Sequence, residues 1–588
     1  MRRTHEISIA SISLGCFLFL LYHHPFVHNF WLFDDPFILR YAAEHPAWSY
    51  FFDPQTWNLF SSAHFTPMVV LSYSLDYHLF GPAPKWFYLH SLLSLWALCI
   101  LLYLLLRRHI PIWAAVFGVL FFILSKPFAA ATEILMFRHY IEGAVFACLA
   151  AYFFLSALKD NSISRAGWAA IIYLLAMLCK EVYIPLPLIL CFVPQGLFWQ
   201  RMKMCLFFCL SLIVYLGWRF WMLGAVIGGF SGSLMAGDPQ NGFTSLLSVP
   251  HYLASVATEF SGLALITAAC LGLLLFLPLA YHIAKRHLRI LAFVLAGIVA
   301  VTVPLLPIAP YLQDTMLIAF RLSFAAMLAF SIYLALAVAD LAKIQLFRNL
   351  RTYRYVQQLP RLVIHVLLAV VTLGSGIQST HWIYQQKKQT TEPLSTEGRF
   401  IWQEEQPGIL VRSHNMFSTH YYQSLNYFKT EVGDREPLLV VADGFGLLSN
   451  VEGLTAGQPR YFAYRRQTQE ISEVTFEMKK KRKEMLSSIG DSQFRANFEV
   501  DHGSFALNLS TTQEQKTLFM LLGYLPGMYC DAFPFPGQKK ITFNGTLYAG
   551  LTGYFRFGQH DLAKHTVSLS PEWWIDFSQT REITWPKE

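Results

Sequence analysis

Long apolar runs dominate the first two thirds of the chain. A bilayer-spanning helix needs about 20 mostly apolar residues, and the sequence offers such runs repeatedly. They lie at residues 7–27, 86–106, 110–126, 140–158, 166–180, 183–199, 204–222, 260–283, 290–308, 317–339 and 362–380. The pattern predicts an α-helical polytopic membrane domain, residues 1–383, with about eleven transmembrane helices.

The pattern changes at residue 384. Short alternating runs at 438–442, 504–509, 541–548 and 566–569 are separated by Gly, Asp and Asn, which is typical of strands joined by turns. We therefore expect residues 384–588 to form a strand-rich α+β soluble domain. Residues 28–85, after the first apolar run, predict a long external loop whose aromatic residues suit helices at the membrane surface.

Composition and charge favour a membrane protein. Of 588 residues, 55% are hydrophobic, and the net charge of +8 comes from Lys and Arg clusters between the apolar runs. By the positive-inside rule these clusters mark the cytoplasmic side, so the charge does not indicate nucleic-acid binding. The N-terminus is then cytoplasmic and residues 384–588 are external. Eight of nine cysteines lie in or beside apolar runs, which favours a bacterial inner membrane with a periplasmic C-terminal domain.

Two adjacent acids, Asp34 and Asp35, follow the first apolar run and have aromatic residues on both sides. Carboxylates in such surroundings are costly unless they are solvated, bound or catalytic. The alternative is a turn that only marks the end of a helix. Basic residues recur at the predicted outer ends of several later helices. An acid facing such cations suits a reaction that releases a phosphate, because the carboxylate takes a proton and the cations stabilise the leaving group.

Several motifs resemble the GT-C class of membrane glycosyltransferases, in particular the protein O-mannosyltransferase-like proteins. They are the Asp34-Asp35 pair, the segment from His64 to Tyr77, Trp86 to His90, Glu133 with Arg138, Lys180-Glu181, Tyr215 with Arg219, and Arg321. The chain differs from that family at Thr66, where an Arg usually precedes the Pro. It also lacks the tetratricopeptide repeats that often follow the membrane domain.

The resemblance implies transfer of a sugar from a polyprenyl-phosphate donor to an acceptor hydroxyl outside the membrane, with inversion at the anomeric carbon. The acceptor would be a glycan or a protein. The resemblance assigns Asp35 as the base. Asp34 is the alternative, because spacing along the chain does not distinguish two adjacent acids. Donor-phosphate partners are Arg138, Lys180, Arg219 and Arg321, and further site candidates are Glu133, Glu181 and His64.

Each assignment has a structural alternative. Arg138 could pair with Glu133 or Glu142 on neighbouring turns, and Lys180 could be a snorkelling lysine. Oxygen ligands from Asp34, Asp35 and Glu133 would suit a divalent metal, but we expect neither a metal nor a cofactor. The main rival function is a polytopic transporter or a flippase for lipid-linked glycans without transferase activity, which predicts interrupted helices and ionisable residues near the bilayer midplane. An inactive scaffold is a third alternative.

Overall fold

The computed structural model describes residues 2–226, 262–304, 320–341 and 359–405, apart from residues 62 and 322, and shorter segments between 408 and 585. It divides the chain into two compact units. The helical unit comprises Met1–Asn29, Tyr50–Pro54 and Ala63–Lys388. The mixed unit comprises Phe30–Ser49, Gln55–Ser62 and Gln389–Glu588. Part of the first loop therefore belongs with the C-terminal region.

The helices of the chain up to the end of the helical unit have the following bounds. They are α1 Arg2–Tyr22, α2 His24–His28, α3 Asp35–Glu44, α4 Ser49–Phe52, α5 Pro54–Phe60, α6 Pro67–Phe80, α7 Pro84–Arg107, α8 Ile112–Ile123, α9 Lys126–Glu133, α10 Arg138–Asp160, α11 Ile163–Cys179, α12 Leu186–Cys191, α13 Phe198–Leu223, α14 Gly262–Ala284, α15 Leu288–Thr302, α16 Phe324–Leu341 and α17 Leu359–Gln386. Of these, α3 and most of α5 belong to the mixed unit.

Apolar helices occupy all eleven predicted segments in the described part of the chain. Among the residues that the structure describes, five helical segments are long and apolar enough to cross a membrane, or six with a bent pair, and the others are shorter apolar helices. The largest departure is the predicted span 183–199, where the regular α-helix is only Leu186–Cys191. Pro185 precedes that helix and Pro194 follows it, and proline interrupts the hydrogen-bond pattern of a helix.

The predicted span 110–126 is a broken helix pair. Helices α8 and α9 meet at an angle of 55°, and Ser125 caps α9 by accepting a hydrogen bond from the Phe128 amide. Pro127 lies in the first turn of α9, where a missing amide proton costs nothing. The break places Lys126 at the junction of the two helices, where it is 8% exposed.

The C-terminal part of the mixed unit combines three helices with the strands. The helices are α18 Glu392–Gln403, α19 Thr419–Glu431 and α20 Thr475–Ser487. The strands are β1 Gly408–Arg412, β2 Leu439–Ala442, β3 Arg460–Arg465, β4 Glu470–Glu473, β5 Phe494–Asp501, β6 Ser504–Thr511, β7 Lys516–Leu525, β8 Tyr529–Pro536, β9 Lys539–Phe543, β10 Thr552–Asp561, β11 Thr566–Leu569, β12 Trp573–Asp576 and β13 Arg581–Trp585.

The described strands form two sheets. The larger has the order β11-β10-β7-β8-β2-β1-β3-β4, with β12 also paired to β10, and the smaller is β13-β5-β6-β9. Strands β8, β2, β1 and β3 are parallel neighbours, and their register pairs Ile409 with Leu439 and with Tyr461. These side chains belong to the core that buries one face of the sheet. The predicted fold class, a helical polytopic domain followed by a strand-rich α+β region, is confirmed.

Candidate functional site

The Asp34-Asp35 pair begins helix α3 in the mixed unit. The Asp35 carboxylate is fully buried and accepts a hydrogen bond of 2.9 Å from the Leu32 amide, whereas Asp34 is partly exposed. Phe33, just before the pair, has φ of 49°. A bulky residue rarely adopts this left-handed conformation, and such strain is concentrated at functional sites. Asp35 therefore holds the turn together, while Asp34 is the more accessible acid.

In the helical unit, Glu181 is the centre of a cluster between α11 and α12. Its carboxylate pairs with the Arg219 guanidinium and lies 2.9 Å from the His64 ring nitrogen Nδ1. The Phe65 amide and the Tyr215 hydroxyl also donate to it, each at 3.3 Å. Three parts of the chain that are distant in sequence, the first loop, the α11–α12 connection and the end of α13, are joined at this carboxylate.

The electrostatics of this cluster favour an ionised Glu181. Burial opposes ionisation, but the bond and charge of His64 and the charges of Arg219 and Lys180 outweigh it and lower the pKa of Glu181 to about 2. The pKa of His64 is also lowered, first by the charge of Lys180 and then by burial. We therefore assign an ionised Glu181 that accepts a hydrogen bond from the Nδ1–H of His64.

Arg219 is committed to this cluster. Besides Glu181, it donates to the Ala63 carbonyl at 2.8 Å and to the Val226 carbonyl at 3.0 Å, and it is only 4% exposed. The predicted residues His64, Glu181 and Arg219 therefore lie together, but Arg219 braces the first loop with its donor groups.

Lys180 and Arg321 are different, because both are partly exposed. The Lys180 ammonium lies 5.3 Å from the centre of the Tyr140 ring, and among the residues that the structure describes no carboxylate forms an ion pair with either cation. Both are close enough for their charges to act on His139, whose buried Nδ1 atom has no hydrogen-bond partner. Lys180 and Arg321 are therefore two cations that lie near His139 in the helical unit.

Arg138 is fully buried in a network of its own. It donates to Asp76 at 2.6 Å, to the Phe87 carbonyl at 2.5 Å, and to Ser72 and Ser91 at 3.3 Å each. A guanidinium has five N–H groups, and these bonds use four of them. Arg138 pairs with Asp76, not with Glu133 or Glu142, and it joins α6 and α7 to α10.

Glu133 is 1% exposed at the end of α9. Its carboxylate lies 2.8 Å from the Lys387 ammonium and accepts a hydrogen bond of 3.2 Å from Asn29. Within the described chain no three His, Cys, Asp or Glu side chains are arranged to hold a metal ion. Glu133 therefore links α9 to the segment after α17.

The helical unit also contains a cavity of about 610 Å³, lined mainly by apolar side chains of α8 and α14 to α17. The lining also includes polar residues, among them Ser125, Lys126, Ser323 and Gln378, and the pair His282 and Asp340, whose side chains lie 3.4 Å apart. The amide nitrogen and oxygen of Gln378 are buried and have no hydrogen-bond partner. Buried polar atoms are almost always bonded, so the unbonded Gln378 amide in the lining of the cavity indicates a place for a polar ligand group.

Sequence reasoning missed Lys126, His139 and Gln378. An ionisable residue inside an apolar run is a functional candidate by itself, and Lys126 was hidden because it fell on the last residue of the predicted span 110–126. Nothing local distinguishes Gln378 from any polar residue in a helix. Parts of the predicted spans 260–283, 290–308 and 317–339, namely residues 260–261, 305–308, 317–319 and 322, lie outside the described residues.

Comparison with known proteins gives matches only among solved structures. No family model matches the sequence, and a search of curated proteins finds no match. The chain is similar to ArnT from Cupriavidus metallidurans. The crystal structure bound to undecaprenyl phosphate covers 78% of this chain and 93% of its own, with 13% identity and a TM-score of 0.42. The apo structure covers 78% and 94%, with 14% identity and a TM-score of 0.39.

Proposed function

We propose that the chain is an inverting GT-C glycosyltransferase that moves a sugar from a polyprenyl-phosphate donor to an acceptor hydroxyl. It would act in a bacterial inner membrane, with the mixed unit on the periplasmic side. The observation that carries the proposal is the cavity of the helical unit, whose lining is mostly apolar and includes the buried Lys126. ArnT is a GT-C glycosyltransferase, the class that the sequence motifs resemble.

The cavity has the chemistry of a site for an amphiphile. Ligand sites are mostly apolar with a few convergent polar groups, and a volume of about 610 Å³ accommodates several isoprene units. The positive charge of Lys126 would attract a phosphate, whose oxygens would accept from the Gln378 amide. The apolar side chains of the lining suit the polyprenyl chain.

Lys180 and Arg321 are the cations best placed to meet a ligand's negative charge, because both are partly exposed and no described carboxylate forms an ion pair with either. Charges fixed in advance where negative charge develops stabilise a transition state. Arg138 forms an ion pair with Asp76, and Arg219 forms one with Glu181. We therefore assign both arginines a structural role. Glu133, Glu181 and His64 likewise hold segments of the chain together.

We assign Asp34 as the base and Asp35 as the residue that fixes the turn. This reverses the order expected from the sequence, and it is supported by the exposure of Asp34 and by the bond from Leu32 to Asp35. Asp34 would take the proton of the acceptor hydroxyl as its oxygen attacks the anomeric carbon. The bond from that carbon to the donor phosphate breaks at the same time, and the electron pair leaves with polyprenyl phosphate.

Lipid binding tests the proposal. Native mass spectrometry of the full chain would measure the affinity for undecaprenyl phosphate in Lys126→Met, with Lys203→Met as the matched control because Lys203 is exposed on α13. Loss of a charge-assisted bond costs about 1.5 kcal/mol or more. We therefore expect Lys126→Met to bind the lipid at least about tenfold more weakly than wild type, and we expect the control to bind it as tightly as wild type. Equal affinity in both variants would contradict the site.

One observation favours the rival function. A helix pair broken at a buried lysine that lines a cavity is the kind of feature expected of a transporter or lipid flippase, and α8 and α9 have it. Reconstituted vesicles separate the two functions. A flippase would move undecaprenyl-phosphate sugar across the bilayer with Asp34→Asn unimpaired, whereas the transferase would lose sugar transfer in that variant.

A further inference from the structure

We propose that Tyr421 is a positioning residue that fixes the Asp34-Asp35 turn, so that the C-terminal region forms part of the catalytic apparatus. The inference rests on the proposed function in taking this pair as the site of the base. It concerns only the mixed unit, in which residues from the first loop and residues after 388 are packed as one body.

The segment that carries the two acids packs against the C-terminal part of the mixed unit. Helix α3, which begins at Asp35, lies against α19. Arg40 on α3 places its guanidinium 4.3 Å from the centre of the Tyr427 ring on α19, a cation–π distance. The helix that carries the acid pair is therefore supported by a helix nearly 400 residues later in the chain.

The Tyr421 hydroxyl is hydrogen-bonded to the chain just before the acid pair. It lies 2.8 Å from the Trp31 carbonyl oxygen and 3.0 Å from the Leu394 carbonyl oxygen, and Tyr421 is fully buried. A phenol has a single proton to donate, so the two carbonyls share it. Trp31 is three residues before Asp34, and Leu394 is on α18. The hydroxyl thus ties the turn to two helices of the C-terminal region.

A second hydrogen bond and a close contact also connect the segment before the acid pair to α18. The Phe30 amide donates to the Ser395 hydroxyl at 2.8 Å. Gly398, one turn further along α18, has no room for a side chain, since a Cβ there would lie 2.0 Å from the Tyr421 oxygen and 3.0 Å from the Phe30 ring. The glycine lets the three segments approach closely enough for both bonds to form.

The electrostatics keep the Tyr421 hydroxyl protonated. Burial, followed by the negative charges of Glu397 and Asp35, raises the pKa of Tyr421 well above its ordinary value. The hydroxyl therefore remains a donor throughout the physiological pH range. The action of the Asp35 charge on Tyr421 also shows that the phenol and the acid pair are near each other.

The turn needs such support because Phe33 is strained. A left-handed conformation of a bulky residue persists only where its surroundings over-determine it. Here the bond to the Trp31 carbonyl fixes the chain before Phe33, and the bond from the Leu32 amide to Asp35 fixes it afterwards. Without Tyr421 the first of these is lost, and the turn can relax away from the conformation that presents Asp34.

The experiment compares Tyr421→Phe with Tyr422→Phe in the full chain in nanodiscs. Tyr422 is the matched control, because it is equally buried and its hydroxyl donates to Glu397 at 2.6 Å instead of to the turn. For Tyr421→Phe we expect hydrogen exchange at the amides of residues 30–39 to be about tenfold faster. We also expect kcat to be about tenfold lower with an unchanged KM for undecaprenyl-phosphate sugar. Tyr422→Phe should change neither quantity more than twofold.

Two outcomes would overturn the inference. Unchanged exchange at residues 30–39 in a folded Tyr421→Phe protein would overturn it, as would an equal effect of Tyr422→Phe. If Tyr421→Phe does not fold, Ser395→Ala replaces it and should speed exchange at Phe30 and its neighbours. If the wild-type protein transfers no sugar, the proposed function fails, while the exchange comparison still decides whether Tyr421 holds the turn.

Discussion

Replacing Glu181 by Gln removes one charge from the centre of the best-defined cluster of the helical unit. The amide keeps the shape of the side chain but leaves the Arg219 guanidinium, 4% exposed, without its anion. A pKa lowered from 4.5 to about 2 corresponds to about 3 kcal/mol. Breaking a buried ion pair costs about 3–5 kcal/mol, and the 21% exposure of the Glu181 side chain favours the lower end. We expect a destabilisation of about 3 kcal/mol.

The direction of the pKa shift also predicts how this stability difference depends on pH. Because folding lowers the pKa of Glu181, its contribution is present above about pH 4.5 and is lost as the pH falls towards 2. The difference between wild type and Glu181→Gln should therefore be constant from pH 5 to 8 and shrink below pH 4.5.

Thermal unfolding of the detergent-solubilised protein measures this difference, and we expect a Tm about 4 °C lower for Glu181→Gln at pH 7. Asp160→Asn is the control, because its pair with Arg165 is nearly half exposed and such pairs contribute about 0.5 kcal/mol or less. A Glu181→Gln protein as stable as the control, or a difference that grows as the pH falls to 3, would refute the reasoning.

Two further substitutions test the packing of the helical unit by the same Tm measurement. Arg138→Lys should lower the Tm by at least about 3 °C, because an ammonium cannot reach Asp76 and the Phe87 carbonyl together; an unchanged Tm would contradict the network. Gly143→Ala should cost about 1–3 kcal/mol, since its Cβ would lie 2.4 Å from the Tyr183 ring. Gly167→Ala, with nothing within 4 Å, should be neutral or stabilising, and equal effects of the two alanines would refute the packing argument.

Hydropathy predicted where apolar helices lie in the described part of the eleven runs, but it did not predict the breaks in those helices. The bend between α8 and α9 and the short helix Leu186–Cys191 arise at prolines within continuous apolar runs. A window of mean hydropathy does not register such breaks, because proline changes backbone geometry more than composition. Turn and strand signals were sharper in the C-terminal region, where β11 matches the predicted run 566–569.

Residue types identified the charged candidates of the site, but not their partners. Arg138 bonds with Asp76, 62 residues earlier, and Glu181 bonds with Arg219, 38 residues later. Spacing along one helix suggests only pairs three or four residues apart, so these pairings required the tertiary fold. The packing of the Asp34-Asp35 turn against α18 and α19 could not be predicted either, because no local pattern in the sequence links segments so far apart along the chain.

The most direct test of the account is single-turnover sugar transfer from undecaprenyl-phosphate donor in Asp34→Asn and Asp35→Asn. General-base catalysis contributes about 10²–10⁴-fold, so Asp34→Asn should slow transfer by about 10³-fold while donor binding is retained. Asp35→Asn should slow it by less than about tenfold, because the amide oxygen still accepts from Leu32. Undiminished transfer by Asp34→Asn would contradict the central claim that this acid pair supplies the base of a polyprenyl-phosphate-dependent transferase.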